Sequence, residues 1–113
     1  MSNIIEEKSF VFAVRIVNLY KHLNEKKREF VLSKQLLRSG TSIGANVAEA
    51  EQAQSKPDFI SKMSVALKEA SETKYWIKLL TSTGYLTEVE CVSILNDCVE
   101  LEKILVSIIK STK

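Results

Sequence analysis

Arg38, Ser42, Asn46 and Glu49 are spaced by four, four and three residues, so on a helix they hold neighbouring positions. Glu69 and Glu72 stand three apart on a later stretch, with Trp76 one turn further. Two carboxylates at that spacing could act as an acid and a base, or form half of a di-iron site. The di-iron arrangement needs Glu-x-x-His on two helices. The only histidine is His22, and Leu19 stands three before it. The expected role of the six residues is therefore a structural polar network. Arg38 pairs with Glu69 or Glu72, within one subunit or across two, because a guanidinium holds a carboxylate through two parallel hydrogen bonds.

No other constellation supports catalysis. Ser39, Thr41 and Ser42 lack a histidine–aspartate relay. His22 reads as a surface or interface residue. Cys91 and Cys98 are seven apart, roughly 10 Å along one helix, which excludes a bridge between them. They read as small buried residues, because a zinc site wants closer spacing and more partners. Gly40 and Gly44 are not a phosphate loop, since no strand precedes them and no Gly-Lys-Ser follows. Four apart, they lie one above the other on a helix and predict a close approach to a neighbouring backbone. Neither a cofactor nor a metal is expected.

The chain of 113 residues is read as one domain over residues 1–113, with 45% hydrophobic and 27% charged residues. Three glycines and one proline leave little material for tight turns and favour long helices. A net charge of +2 does not announce a nucleic-acid binder. The N-terminus has no basic run with a cleavage site, and Phe10–Val14 is interrupted at Arg15, too short to cross a bilayer. The cytoplasm is the expected compartment, with no membrane partner.

Four helices must position these residues. The first is expected over Asn3–Asn24, with Ile5, Phe12, Ile16, Leu19 and Leu23 as one seam. Phe10, Val14, Val17 and Tyr20 add a second apolar face, which predicts burial on more than one side. The second is expected over Glu29–Gln54, unbroken at Ser39–Ser42 because its apolar register passes through the glycines unshifted. Ser55 and Asp58 flank Pro57 as a start signal for the third, which runs to Thr83. Its seam is Phe59, Met63, Ala66, Ala70, Thr73, Ile77 and Leu80. Gly84 is a left-handed stop, and Thr87 with Glu90 is the capping box of the fourth. That helix runs to Lys110 with Ile94, Cys98, Leu101, Leu105 and Ile108 inward. Short connections make neighbours antiparallel, so the fold class is all-α, an up-down-up-down four-helix bundle. Phe59, Tyr75 and Trp76 are expected in the core or a subunit interface rather than as base-stacking platforms.

The run from Lys34 to Ala50 is Lys-Gln-Leu-Leu-Arg-Ser-Gly-Thr-Ser-Ile-Gly-Ala-Asn-Val-Ala-Glu-Ala. With Asp58-Phe59, Lys62, the run Ala66–Ala70, Glu72-Thr73 and Trp76, it resembles the bacterial four helix bundle protein family, also called the 23S rRNA intervening-sequence protein family. That name refers to genes inside insertions in large-subunit rRNA genes and records no activity. The resemblance covers nearly the whole chain. It implies an antiparallel bundle and a ring-shaped homo-oligomer, a pentamer. A similar fold occurs in the accessory protein of diversity-generating retroelements, a basic pentameric ring that works with a reverse transcriptase and nucleic acid.

Charge placement adds a last expectation. Residues 1–38 carry eight Lys and Arg against four Glu, whereas residues 87–113 carry three Lys against five acids. Lys26, Lys27 and Arg28 cluster in the first connection and would repeat around one rim of a ring. They are the candidate nucleic-acid contact; the alternative is a solvated loop. The acidic fourth helix is expected to face a basic neighbour. The chain thus reads as a non-enzymatic homo-oligomer associated with RNA or DNA through phosphate contacts. The alternative is a scaffold or accessory module for another protein.

Overall fold

The computed structural model describes residues 4–113. Four helices follow one another: α1 Ile4–Glu25, α2 Leu32–Ala50, α3 Lys56–Ser82 and α4 Glu88–Thr112. They form an antiparallel bundle with extents of 44 × 20 × 18 Å. Successive helices pack against each other, and α1 closes the bundle through a lighter contact with α4. The start of α1 lies beside the end of α4, where Ile4 and Ile5 meet Ile104 and Ile108. The expected start at Asn3 falls outside the described residues.

Each inward seam follows the three-four rhythm that keeps one helix face toward the core. In α2 it is Leu36, Gly40, Ile43, Val47 and Ala50; in α3 it is Met63, Ala66, Ala70, Thr73, Ile77 and Leu80. Three seam positions differ from expectation, the first being Leu19 of α1, which is only half-buried. Phe59 is only half-buried at the start of α3, and Ile109 replaces Ile108 as the buried residue near the end of α4. The α4 seam steps by four from Leu105, which turns the last apolar residue inward.

The second apolar face of α1 is only partly covered within the chain, Val17 and Tyr20 being half-buried. Phe10 is 69% exposed, with Val11 and Val14 also exposed, whereas Ile5, Phe12 and Ile16 are buried. Four helices supply two neighbours for α1, so only one stripe of it reaches the core.

Gly40 and Gly44 bring α1 and α2 together. A Cβ on Gly40 would stand 2.7–2.9 Å from three side-chain carbons of Ile16. At Gly44 it would stand 3.3 Å from the Ser9 carbonyl. The helix runs unbroken through both. Where α2 meets α3, the Thr73 hydroxyl donates to Ser39 Oγ at 2.9 Å, which satisfies a buried polar pair.

The ends of α2 lie inside the expected limits. Glu29 is not the first helical residue. Its buried carboxylate accepts from the N–H groups of Val31, Leu32 and Ser33 at 3.1, 2.9 and 2.7 Å, capping the first turn from outside. At the other end, Gln52 and Ala53 donate to Glu49 and Ala50 in tight turns, and the ladder stops. Ser55 Oγ then accepts from Asp58 N, and Asp58 Oδ2 accepts from Gln54 N. Gly84 has φ +88°. Tyr85 N donates to the Leu80 carbonyl and Gly84 N to that of Thr81, the paired bonds of a Schellman end. Thr87 and Glu90 exchange the two bonds of a capping box.

Candidate nucleic-acid interface

The connection between α1 and α2 holds Lys26, Lys27 and Arg28, all exposed. Lys26 N and Lys27 N both donate to the His22 carbonyl, closing α1. Arg28 then takes φ +56°, the only positive φ of a non-glycine among the described residues. This reverses the chain, so that Glu29 N returns to the Leu23 carbonyl at 2.9 Å. Burial pushes the Glu29 carboxyl up, but the N–H groups of Leu32, Ser33 and Val31, with the Ser33 side chain, outweigh it and hold the carboxyl below its ordinary range. The loop backbone is thus clamped by a buried charge while its cationic side chains remain in water.

Phe30 is 46% exposed and Val31 72% exposed. The Arg28 guanidinium carbon lies 5.5 Å from the Phe30 ring centroid, within cation–π range. Across the same end of the bundle, the Thr87 N–H is the main cause of a lowered Glu90 carboxyl. Burial opposes it, and the charges of His22 and Lys27 act in the same direction as the Thr87 N–H.

The polar residues of α2 and α3 do not form one network. Arg38 Nη1 donates to Glu69 Oε1 at 3.3 Å, Nη2 donates to Glu72 Oε2, and Nε reaches Gln35. Trp76 Nε1 donates to the same Glu72 oxygen at 3.2 Å. Ser42 and Asn46 instead bond the carbonyls of Arg38 and Ser42 on their own helix. Glu49 pairs with Lys62 at 3.1 Å. Mid-helix serine and asparagine commonly turn to the preceding turn in this way. Trp76 is half-buried, and Tyr75, edge-on to it at 5.1 Å, is exposed.

Three of the five acids of α4 are matched to cations inside the chain. Asp97 binds Arg15 at 2.6 Å, Glu100 binds Lys8 at 3.1 Å, and Glu102 binds Lys74 at 2.9 Å. Arg15 also donates to Ser93. Among the described residues, no ion pair uses Lys26, Lys27 or Arg28. No group of three or more metal-ligating side chains occurs among them either. Cys91 and Cys98 are buried and free, and burial, with the charge of Glu102, pushes the Cys98 thiol up to about 12. No described helix is long and apolar enough to cross a membrane.

Sequence reasoning picked out the three cations but not the Glu29 clamp or Phe30. The usual start signal is a short side chain at the cap; here a longer carboxylate reaches the same N–H groups from further back.

Residues 1–107 match the family described as 23S rRNA-intervening sequence protein. The chain belongs to that family. A solved structure of a protein of unknown function from the S23 ribosomal protein family of Bacteroides thetaiotaomicron is similar over 94% of this chain and 98% of its own. Identity is 61% and the TM-score 0.93. A comparison with curated proteins finds no match. This 23S rRNA-intervening sequence family member therefore shares its bundle with a protein of unknown function, and its own loop chemistry must carry the functional reading.

Proposed function

We propose that this protein is a non-enzymatic, cytoplasmic homo-oligomer that associates with RNA through the loop of Lys26, Lys27 and Arg28. One observation carries the reading. Lys8, Arg15, Arg38, Lys62 and Lys74 are matched to carboxylates and the remaining lysines stand singly in the sequence, whereas Lys26, Lys27 and Arg28 are three consecutive exposed cations on a clamped loop, outside every ion pair described above. Phosphate is the partner such a cluster fits, with weak sequence dependence. The family's description, which names an rRNA insertion, favours RNA over DNA. Oligomerisation multiplies the cluster by the number of subunits and strengthens the local field.

The uncovered face of α1 supports the oligomer and also a second reading. Phe10, Val11 and Ala13 line a groove of about 680 Å³ with Gly44, Ala45 and Ala48 of α2. A closed ring, a pentamer by family resemblance, would cover it; a scaffold would offer it to another protein instead. The deciding experiment measures binding of structured RNA and duplex DNA as salt is raised, with light scattering on the same sample. The RNA reading expects a steep loss of affinity with salt and a shallower slope for the triple variant K26Q/K27Q/R28Q at unchanged mass. Absence of binding at low salt, or an unchanged triple variant, favours the protein scaffold.

A further inference from the structure

We infer that the α1–α2 loop takes single-stranded RNA, with one base stacked on the ring of Phe30. The inference rests on the RNA reading and adds the form of the nucleic acid and the group that grips the base. A large aromatic ring half open to water, followed by an exposed valine, adds nothing to the core of the bundle. It lies two residues from Arg28 in a segment that also carries Lys26 and Lys27. Those cations supply the charge complementarity that identifies a polyanion, and the ring adds a surface for a flat, neutral group. A single-stranded polynucleotide offers both within one nucleotide, because its phosphates are exposed and its bases are unstacked. A duplex offers the phosphates but keeps its base faces inside the helix.

The loop is already in the shape this contact needs. The Glu29 carboxylate holds the N–H groups of Val31, Leu32 and Ser33, so the backbone on the far side of Phe30 is fixed before any ligand arrives. Arg28 is fixed on the near side by the chain reversal at φ +56°. Little ordering is left to oppose binding. The guanidinium already above the ring, 5.5 Å from its centroid, marks that side as one where a planar group is received. An incoming base takes its place or stacks on it, and either arrangement leaves Arg28 beside the adjoining phosphate.

The test uses fluorescence anisotropy with an unstructured RNA of about twelve nucleotides, the length scale of such sites. Its blunt duplex and the DNA of the same sequence are the comparison arms. The parent protein, Phe30→Leu, Phe30→Tyr and the triple variant K26Q/K27Q/R28Q are titrated as assembled, with helicity checked by circular dichroism. The parent is expected to prefer the single strand. Phe30→Leu is expected to lose about tenfold or more on single-stranded RNA and little on duplex, with its salt slope unchanged because no charge is removed. Phe30→Tyr keeps its aromatic face and is expected to bind like the parent. Equal affinity of Phe30→Leu and parent, or equal affinity for strand and duplex, overturns the stacking while leaving the RNA reading intact. Tighter binding of the DNA strand overturns the assignment to RNA. No binding of any oligonucleotide by the parent at low salt overturns both readings.

Discussion

A Cβ placed on Gly40 would lie 2.7 Å from Cγ1 of Ile16, a side chain with no exposed surface. Ile16 is β-branched and enclosed, so it has no easy way to withdraw. Gly40→Ala should therefore destabilise the bundle, although alanine is the better helix former. Overpacking of about 1–3 kcal/mol outweighs a propensity gain of about 1 kcal/mol. At Gly44 the added atom meets the Ser9 carbonyl at 3.3 Å, so Gly44→Ala should lie within about 1 kcal/mol of the parent. Urea unfolding of both variants checks the order; Gly40→Ala at least as stable as the parent refutes the close packing.

Acid should loosen the loop between α1 and α2 first. The folded Glu29 carboxyl lies below its ordinary value of 4.5. Its contribution is therefore complete above that value and is lost as pH falls through the lower folded value. Glu90 has the same sign and adds to the loss. Glu29→Gln should lower stability at neutral pH by about 1–2 kcal/mol, as loss of a cap does, and should flatten the fall in Tm between neutral pH and about pH 3. An unchanged acid profile would show that the clamp does not contribute.

Trp76 reports on Arg38 through the Glu72 oxygen they share. Arg38→Gln should shift the emission of this sole tryptophan, because Glu72 loses the cation that fixes it. The stability change should be small, below about 1 kcal/mol, since the Arg38 side chain is 48% exposed and its pairs are screened by water. A large loss of Tm, or an unmoved spectrum, would contradict this account.

Both thiols should be silent in the folded protein. Cys98 is fully buried, donates to the Ala70 carbonyl at 3.3 Å, and is raised to about 12. The thiolate is the reactive form and Cys91 is shielded by its own burial, so a disulfide reagent at about pH 8 should label neither cysteine until denaturant is added. Rapid labelling of the native protein would place at least one of them nearer the surface.

Phe10→Glu tests the cover over α1. A carboxylate in the apolar groove should bring the scattering mass down to that of one chain and leave the helical content unchanged, because Phe10 is outside the core. A parent that is already monomeric, or a variant that assembles normally, counts against the ring.

The bundle was legible because its signals are local. Apolar residues at three- and four-residue steps, Gly84 and the Thr87–Glu90 box each act within one or two turns. The ends of α2 were not, because Glu29 caps from outside with a side chain that propensity assigns to the helix itself. Placing Glu69 and Glu72 near each other needed only helix geometry, whereas the partners of Arg15 lie about eighty residues away on α4, where no spacing rule reaches. Ser42 and Asn46 looked available for Arg38 but had a nearer acceptor in their own backbone.

An even number of antiparallel helices returns the chain to the level at which it set out. Ile4 and the end of α4 share one pole of the 44 Å body, and the α1–α2 loop occupies the other. A fluorophore or affinity handle joined at Lys113 is thus held about a bundle length from Lys26 and Phe30. Chains captured on a sensor by that residue present their loops outward, so immobilised and free protein can be compared without the linker shielding the surface being measured.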